Sequence, residues 1–483
     1  MSLAQLSNNK TSTYINSVIT IAIMVLFGMI PPFDPITEVG MKVIGIFLGM
    51  VYGWITVGMG WPSILGLIML GMSGYESVND AFKSGFGNNT VLLLFFVCII
   101  TGTLNSAGLT KFFSLKILSL KIANGRPWVL TFLVLMVNYV CSAFLSPAAS
   151  LLICWSVLYG LCEVCDYKPG EKWPMFMVAG VMFAGNVSGQ MFPFKNLAIT
   201  VLGPYQSIEN GSINAFGFVV WMFVTSFLAV VLYFLAVRFI FRPDVSKLLN
   251  AKVVNTEKLT SYQKWIFGIF VFYVIIMLLP DMLPKGFILQ TFLKNVGNTG
   301  LTAFVVCLML FLNFKDSGNL NKQIFEGVNW NLIFLLASAL TLADAFSGEA
   351  TGIQSFIVEY AQPVLQNTSG IAFIVVCVLI VTVVTQVCNN AATATIFTPI
   401  ILVIMAALGD VGVKTQVIML MLIQGCAVAT LLPSGGASAA LLHGNKTWMT
   451  STPLLYALCA LMLVINLFTL FVIGIPLSNV LPM

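Results

Sequence analysis

The strongest constraint on this chain is a series of apolar runs, most of them long enough to cross a bilayer as a helix. Nine such runs lie at 17–33, 39–57, 61–73, 90–106, 216–241, 265–280, 299–313, 330–346 and 453–475. Charged residues make up 8% of the chain, whereas soluble globular domains contain about 25%. The sequence therefore predicts an all-α polytopic membrane protein.

Two further apolar stretches differ from these runs because each has a small, polar centre. Residues 128–162 contain SPAAS at 146–150, and residues 371–408 contain CNNAAT at 388–393. Irregular backbone is tolerated in a membrane only where it faces protein or a water-filled cavity. Each stretch therefore predicts a re-entrant hairpin, made of two half-helices that meet at a tip.

An interrupted helix follows each predicted hairpin. Residues 174–203 are interrupted at 189–196, and residues 416–446 are interrupted at 433–439. Adding 243 takes Ser146 to Asn389 and Asn196 to Ala439, so one register relates both hairpins and both breaks. Discontinuous helices at matching positions of two halves indicate the central binding site of a secondary transporter. We expect about eleven spans in all, arranged as two repeats.

The positions of the charged residues predict that the two repeats have opposite orientations. With a cytoplasmic N-terminus, most of the 22 Lys and Arg residues fall on inner loops and five on outer loops, in agreement with the positive-inside rule. We therefore expect inverted repeats in a plasma (inner) membrane. The predicted segments are an N-terminal span (1–38), repeat one (39–241), a cytoplasmic linker (242–264) and repeat two (265–483).

Two charged residues, Lys195 and Asp344, stay embedded in this topology. Asp344 lies near the outer end of its span, and we expect it at the membrane interface. Intramembrane ionisable residues are costly and usually mark a ligand or ion path, so Lys195 is interpreted as part of a binding site. The alternative is a lysine that extends from a helix end to the interface.

The polar side chains at the tips and breaks suit a small anion. Helix N-termini attract carboxylates, while unwound carbonyls bind cations such as sodium. The predicted substrate-binding residues are Ser146, Lys195, Asn196, Asn389, Asn390, Thr393, Ser434 and Ser438. Any single Ser or Thr among them is equally an ordinary helix-packing residue. The adjacent Asn389 and Asn390 are more informative because buried amides require partners.

The order of hairpin, broken helix, hairpin and broken helix resembles the divalent anion/sodium symporter family, which transports di- and tricarboxylates and sulfate. Members of that family carry Ser-Asn-Thr at the hairpin tips and Thr-Pro-Pro-Asn at the breaks. The corresponding residues here are Ser146-Pro147-Ala148, Asn389-Asn390-Ala391, Pro193-Phe194-Lys195-Asn196 and Gly436-Ala437-Ser438-Ala439. The resemblance implies a transporter of a small divalent anion that works by an elevator mechanism, commonly as a homodimer.

The resemblance also implies sodium as a coupling ion. The second-half sodium site would use Thr385, Cys388, Asn390 and Gly435. In the first half, Ser142 and Ser146 would lack the family's asparagine, because Pro147 stands in its place. We interpret Lys195 as a fixed cation that replaces one sodium ion. The sequence thus predicts reduced or absent sodium coupling.

Other classes of protein stay open at this point. A cation/proton antiporter or a metalloid permease of the same superfamily is the main alternative, although proton antiport normally needs acidic residues in the core. A channel would need a repeated selectivity filter. An enzyme would need a catalytic pair, and the chain has one histidine and no embedded carboxylate cluster. We expect no enzyme activity, no cofactor and no nucleic-acid partner; the partners are the anion, the lipid bilayer and a second copy.

Overall fold

A computed structural model describes residues 3–118, 121–145, 147–209, 211–250, 258–284, 286–312, 327–356, 359–360, 370–408 and 414–482. Within these residues, all regular structure is helical. The α-helices are α1 (Leu3–Leu26), α2 (Glu38–Thr56), α3 (Gly60–Met72), α4 (Val78–Phe86), α5 (Asn89–Ser106), α6 (Leu109–Leu118), α7 (Pro127–Phe144), α8 (Pro147–Val164), α9 (Lys172–Ser188), α10 (Asn196–Glu209), α11 (Ala215–Leu235), α12 (Ser261–Met282), α13 (Ile288–Leu312), α14 (Trp330–Ser347), α15 (Gly370–Val384), α16 (Asn390–Leu408), α17 (Thr415–Ala427), α18 (Ala437–Gly444), α19 (Thr452–Phe468) and α20 (Ile475–Val480).

Many of these helices are apolar enough to lie in a membrane. Among the described residues, seven are also long enough to cross one, or eight if the bent pair α4 and α5 forms a single span. Six shorter apolar helices of 10–17 residues accompany them, including arms of both predicted hairpins. The predicted all-α membrane architecture is therefore confirmed.

The stretch predicted to form the first hairpin contains α7 and α8. Helix α7 ends at Phe144, with Leu145 as its C-cap, and α8 begins at Pro147. Helical geometry is disfavoured at a residue that precedes a proline, whereas the proline itself is well suited to the first turn of a helix. The sequence Ser-Pro at the tip thus separates the two arms. Ser146 lies outside the described residues, so its predicted role stays a prediction.

The stretches predicted to form the second hairpin and the two broken helices also each contain two helices. The second hairpin consists of α15 and α16, which are separated by the tip at 385–389. The first broken helix consists of α9 and α10, with the break at 189–195. The second consists of α17 and α18, and its break contains the 3₁₀ turn Pro433–Gly435.

The described chain divides into two compact units that do not coincide with the sequence repeats. Unit 1 comprises Met1–Phe95, Ile199–Ser212 and Asn329–Leu422. Helix α14 is central to it, because α2, α3, α4 and α16 pack against this helix, while α1 packs against α2. Unit 1 contains the second hairpin.

Unit 2 comprises Phe96–Ala198, Ile213–Val328 and Ile423–Met483, and α9 is its core. Every residue of α9 from Trp173 to Ser188 is buried. Helices α7, α8, α11, α18 and α19 all pack against it. Unit 2 thus contains the first hairpin, the first break with the first residues of α10, and the whole second break.

Candidate functional site

Lys195 is buried in the first break and contacts the tip of the first hairpin. Its side chain is 6% exposed, and Nζ donates a hydrogen bond of 2.6 Å to the carbonyl oxygen of Leu145. That carbonyl lies at the C-terminal end of α7, where the helix dipole is negative. The ammonium therefore occupies a position that favours a cation.

The charge of Lys195 has no carboxylate partner within the described part of the chain. The ion pairs found there join Lys83 to Asp80, Lys168 to Asp166, and Lys247 to Glu171. An ammonium carries three N–H donors, and one of them is used by Leu145. Among the described residues, Leu145 is the one hydrogen-bond partner found for this ammonium, whose other donors suit an anionic ligand.

Aromatic side chains pack around the first break. The ring of Phe194 lies 5.1 Å from that of Phe192 and 4.8 Å from that of Tyr273 on α12. Phe192 in turn lies 5.8 Å from Phe144 on α7. Apolar surroundings lower the local dielectric constant, which strengthens the interaction of Lys195 with any anion that reaches it.

Two glycines allow the first hairpin to approach α9 closely. A Cβ atom at Gly189 would lie 2.6 Å from Cγ of Pro147 at the hairpin tip. A Cβ atom at Gly185 would overlap the side-chain amide of Asn138 and lie 3.3 Å from Oγ of Ser142. Because glycine has no side chain, Gly185 and Gly189 allow the tip of the hairpin to lie directly against the break.

Three buried oxygen atoms near these elements have no hydrogen-bond partner in the described structure. They are Oδ1 of Asn138, Oγ of Ser142 and Oε1 of Gln190. Asn138 and Ser142 share one face of α7, and Gln190 lies in the break itself. Buried polar groups in native proteins are normally hydrogen-bonded, so these three oxygens are suited to bind a ligand, an ion or water.

The other predicted residues of unit 2 lie at helix starts. Asn196 is half-buried and is the first residue of α10. Ser434 is exposed and Gly435 is buried in the 3₁₀ turn, while Ser438 is half-buried in the first turn of α18. Helix α18 packs against α8 and α9, so the second break adjoins the second arm of the first hairpin.

The predicted residues of the second hairpin belong to unit 1. Oγ1 of Thr385 donates to Oδ1 of Asn390 at 3.3 Å. Oδ1 of Asn389 accepts from the Ala391 amide at 3.0 Å and so caps α16. Cys388 and Thr393 are buried. The structure thus brings Thr385 and Asn390 together, whereas the amide oxygen of Asn389 has a structural role.

The sequence analysis did not single out several polar residues next to these elements. Asn138 and Gln190 are amides within apolar segments, which was a usable signal, since such groups require partners in a membrane. Leu145 acts through its backbone carbonyl, for which the sequence carries no signal. Asp344 is exposed, as expected of a residue at the end of its helix.

A protein-family model described as a citrate transporter (CitMHS) matches residues 51–425. The chain belongs to this citrate transporter family. Its relatives include two sodium-dependent dicarboxylate transporters named SdcS. The one from Staphylococcus saprophyticus is 23% identical over 435 residues, which are 85% of this chain and 81% of the relative. The one from Staphylococcus aureus (strain NCTC 8325) is 23% identical over 431 residues, which are 84% of this chain and 80% of the relative. The predicted resemblance to the symporter family is confirmed.

Solved structures share the fold of this family member. The crystal structure of the Alcanivorax borkumensis YdaH transporter has a TM-score of 0.59 at 13% identity and covers 98% of this chain and 99% of its own. Neisseria gonorrhoeae MtrF, from a class of antimetabolite efflux pumps, has a TM-score of 0.55 at 13% identity and covers 95% of this chain and 94% of its own. The chain is thus an integral membrane transport protein and not an enzyme.

Proposed function

We propose that this protein is a secondary transporter of a small di- or tricarboxylate, with reduced or absent sodium coupling. The observation that carries the proposal is the buried Lys195, whose ammonium binds the carbonyl of Leu145 at the first hairpin tip. The citrate transporter family match and the dicarboxylate-transporting relatives support the substrate class.

In this proposal, a carboxylate of the substrate binds the ammonium of Lys195. The start of α10 at Asn196 adds the positive end of a helix dipole. Ser434 and Ser438 would contribute hydroxyl donors from the second break. Ser146 and, within unit 1, Asn389, Asn390 and Thr393 are further substrate-binding residues proposed from the sequence.

The proposed difference between the halves concerns the cation. Two oxygens held about 2.4 Å from one hard cation at right angles are about 3.4 Å apart, and Thr385 Oγ1 and Asn390 Oδ1 are separated by 3.3 Å. Their chemistry and spacing fit a sodium ion, to which Cys388 of the same unit would add a ligand. Gly435, the other ligand proposed from the sequence, belongs to unit 2. In the first half, the ammonium of Lys195 binds the carbonyl oxygen of Leu145. We propose that a sodium ion would otherwise bind this oxygen together with the hydroxyl of Ser142.

The wider architecture belongs to the same proposal. About eleven spans would form two inverted repeats, each with a hairpin and a broken helix, in a plasma membrane with the N-terminus inside. The hairpins and broken helices would carry the anion by an elevator movement, in a homodimer. A fixed positive charge in the moving part would favour exchange, because return of the empty carrier would leave that charge without a partner in the bilayer.

Transport by purified protein in proteoliposomes tests the proposal. Liposomes loaded with unlabelled succinate, citrate or sulfate are diluted into the labelled anion, with either sodium or choline as the external cation. We expect saturable counterflow of at least one carboxylate, most of which persists in choline. The transport proposal is refuted if carboxylate counterflow does not exceed that of protein-free liposomes. Counterflow that requires sodium would refute the reduced coupling alone.

A further inference from the structure

A second group of buried polar side chains lies apart from Lys195, between three helices of unit 2. It consists of Thr225 on α11, Gln424 on α17 and Asn466 on α19, each of them 0% exposed. Thr225 Oγ1 donates to Gln424 Oε1 at 2.7 Å, and Gln424 Nε2 donates to Asn466 Oδ1 at 3.2 Å. Asn466 Nδ2 donates back to the backbone oxygen of Gln424 at 3.3 Å. We refer to these three residues as the amide cluster.

The amide cluster lies where α17 ends and the second break begins. Helix α17 ends at Ala427, so the carbonyl of Gln424 lies in its last turn. Asn466 gives this carbonyl a hydrogen bond from outside the helix. The residues that follow, Val428 to Thr430, are buried and not helical. The cluster therefore holds the last helical turn before the irregular backbone of the break.

The first repeat has the same contact at the matching position. The register of 243 residues that relates the two halves takes Val181 to Gln424. The carbonyl of Val181 accepts a hydrogen bond of 2.8 Å from Nδ2 of Asn138. A buried asparagine thus binds the same carbonyl in both broken helices, although it comes from α7 in one case and from α19 in the other. Filling space alone would not require an amide at both places.

We propose that Asn466, Gln424 and Thr225 are positioning residues for transport. By fixing the end of α17, they set the direction of the carbonyls in the second break and of the N-terminus of α18, which present ligands to the anion and its cation. This inference rests on the proposed transport function. A second contact anchors the same break from the other side, since Nε2 of His443 lies 3.0 Å from the carbonyl oxygen of Thr430.

The cluster allows a test with closely matched variants. Thr225→Val removes the hydroxyl at constant size and leaves a buried amide oxygen of Gln424 without a donor, whereas Thr225→Ser keeps the hydroxyl. Asn466→Leu removes both contacts of Asn466. A partly satisfied buried network is worse than an apolar core, so the double variant Gln424→Met/Asn466→Leu is expected to melt at a higher temperature than Asn466→Leu alone.

Anion uptake into proteoliposomes separates a positioning role from a structural one. We expect Thr225→Val and Asn466→Leu to raise KM about tenfold with a smaller loss of maximal rate, and Thr225→Ser to restore the parent KM. The double variant should recover melting temperature but not KM. Ser226→Ala is the control, because it removes a neighbouring buried hydroxyl that contacts Tyr139 instead of the cluster. Unchanged KM in folded variants, or recovery of KM in the double variant, would overturn the proposal.

Amide hydrogen exchange provides a readout that does not depend on the substrate. Exchange of residues 428–436 should become about tenfold faster in Asn466→Leu and in the double variant, while α11 keeps the rate of the parent protein. If the parent protein transports no carboxylate, the proposed function fails, and this measurement still decides whether the cluster orders the break. Unchanged exchange at 428–436 would refute the positioning role.

Discussion

Replacing Lys195 with methionine gives the sharpest prediction, because it should separate anion binding from stability. Lys195→Met keeps nearly the same volume and removes the charge. Truncating one member of a buried charge pair costs about 2–5 kcal/mol. At about 1.4 kcal/mol per factor of ten, anion affinity should fall about 30- to 4,000-fold.

The stability of the ligand-free protein should respond in the opposite direction. The substitution removes the hydrogen bond of 2.6 Å between Lys195 and Leu145, and a bond to a charged group contributes about 1.5–3 kcal/mol. It also removes the desolvation cost of a buried ion without a carboxylate partner, which amounts to several kcal/mol. We therefore expect ligand-free Lys195→Met to melt at or above the temperature of the parent protein.

The assay is the shift in melting temperature of detergent-purified protein with rising succinate or citrate, together with KM for uptake. Lys446→Met is the control, since Lys446 is an exposed lysine of the same unit. A dissociation constant for Lys195→Met within about threefold of the parent value would refute the role of Lys195 as an anion ligand. A large fall in melting temperature would refute the reasoning about its desolvation.

A smaller side chain at the same position tests the idea that the lysine replaces a cation. Lys195→Ala frees the carbonyl of Leu145, a sodium-compatible oxygen, and the hydroxyl of Ser142 lies three residues earlier at the end of α7. Sodium should therefore stabilise this variant more than it stabilises the parent protein, by about 2.7 kcal/mol at a concentration of 100 times its dissociation constant. Equal sodium-dependent shifts in both proteins would contradict the replacement.

Three further substitutions test other contacts. Gly189→Ala places a methyl group 2.6 Å from the proline of the hairpin tip and should lower the free energy of unfolding by about 1–3 kcal/mol. Gly160→Ala is its control and should not lower the free energy of unfolding, because a Cβ there meets no atom within 4 Å. His443→Leu removes the ring nitrogen that contacts the Thr430 carbonyl and should lower the free energy of unfolding by about 0.5–1.5 kcal/mol, whereas His443→Gln keeps a donor and should lose less; equal losses in the two variants would count against this bond. Burial alone would raise the pKa of Glu171, but hydrogen bonds from Lys247 and from the Lys168 amide lower it. Glu171→Gln should therefore be less stable than the parent at neutral pH, by less than about 1 kcal/mol for this half-exposed pair, and the difference should vanish as the pH falls below about 4. A constant difference across this range would argue against the ion pair.

Local chemistry made the helical elements predictable from the sequence. Apolar runs defined the membrane helices, because no other regular structure satisfies the backbone in lipid without closing a barrel. Pro147 separated the arms of the first hairpin, and the glycines and prolines near 189–196 and 433–439 interrupted the broken helices at the observed places. The buried position of Lys195 also followed from the sequence, since every other charged residue except Asp344 fits a loop.

The contacts of those elements were decided by tertiary structure alone. The partner of Lys195 is the carbonyl of a leucine 50 residues earlier, and every residue type carries such a carbonyl. Gln424 and Asn466 are 42 residues apart and meet because the last turn of α17 lies against Asn466 of α19. Hydropathy and turn chemistry act over a few residues and therefore determine where helices begin and end. Which polar groups meet between the helices depends on how whole helices pack, and no local pattern encodes that.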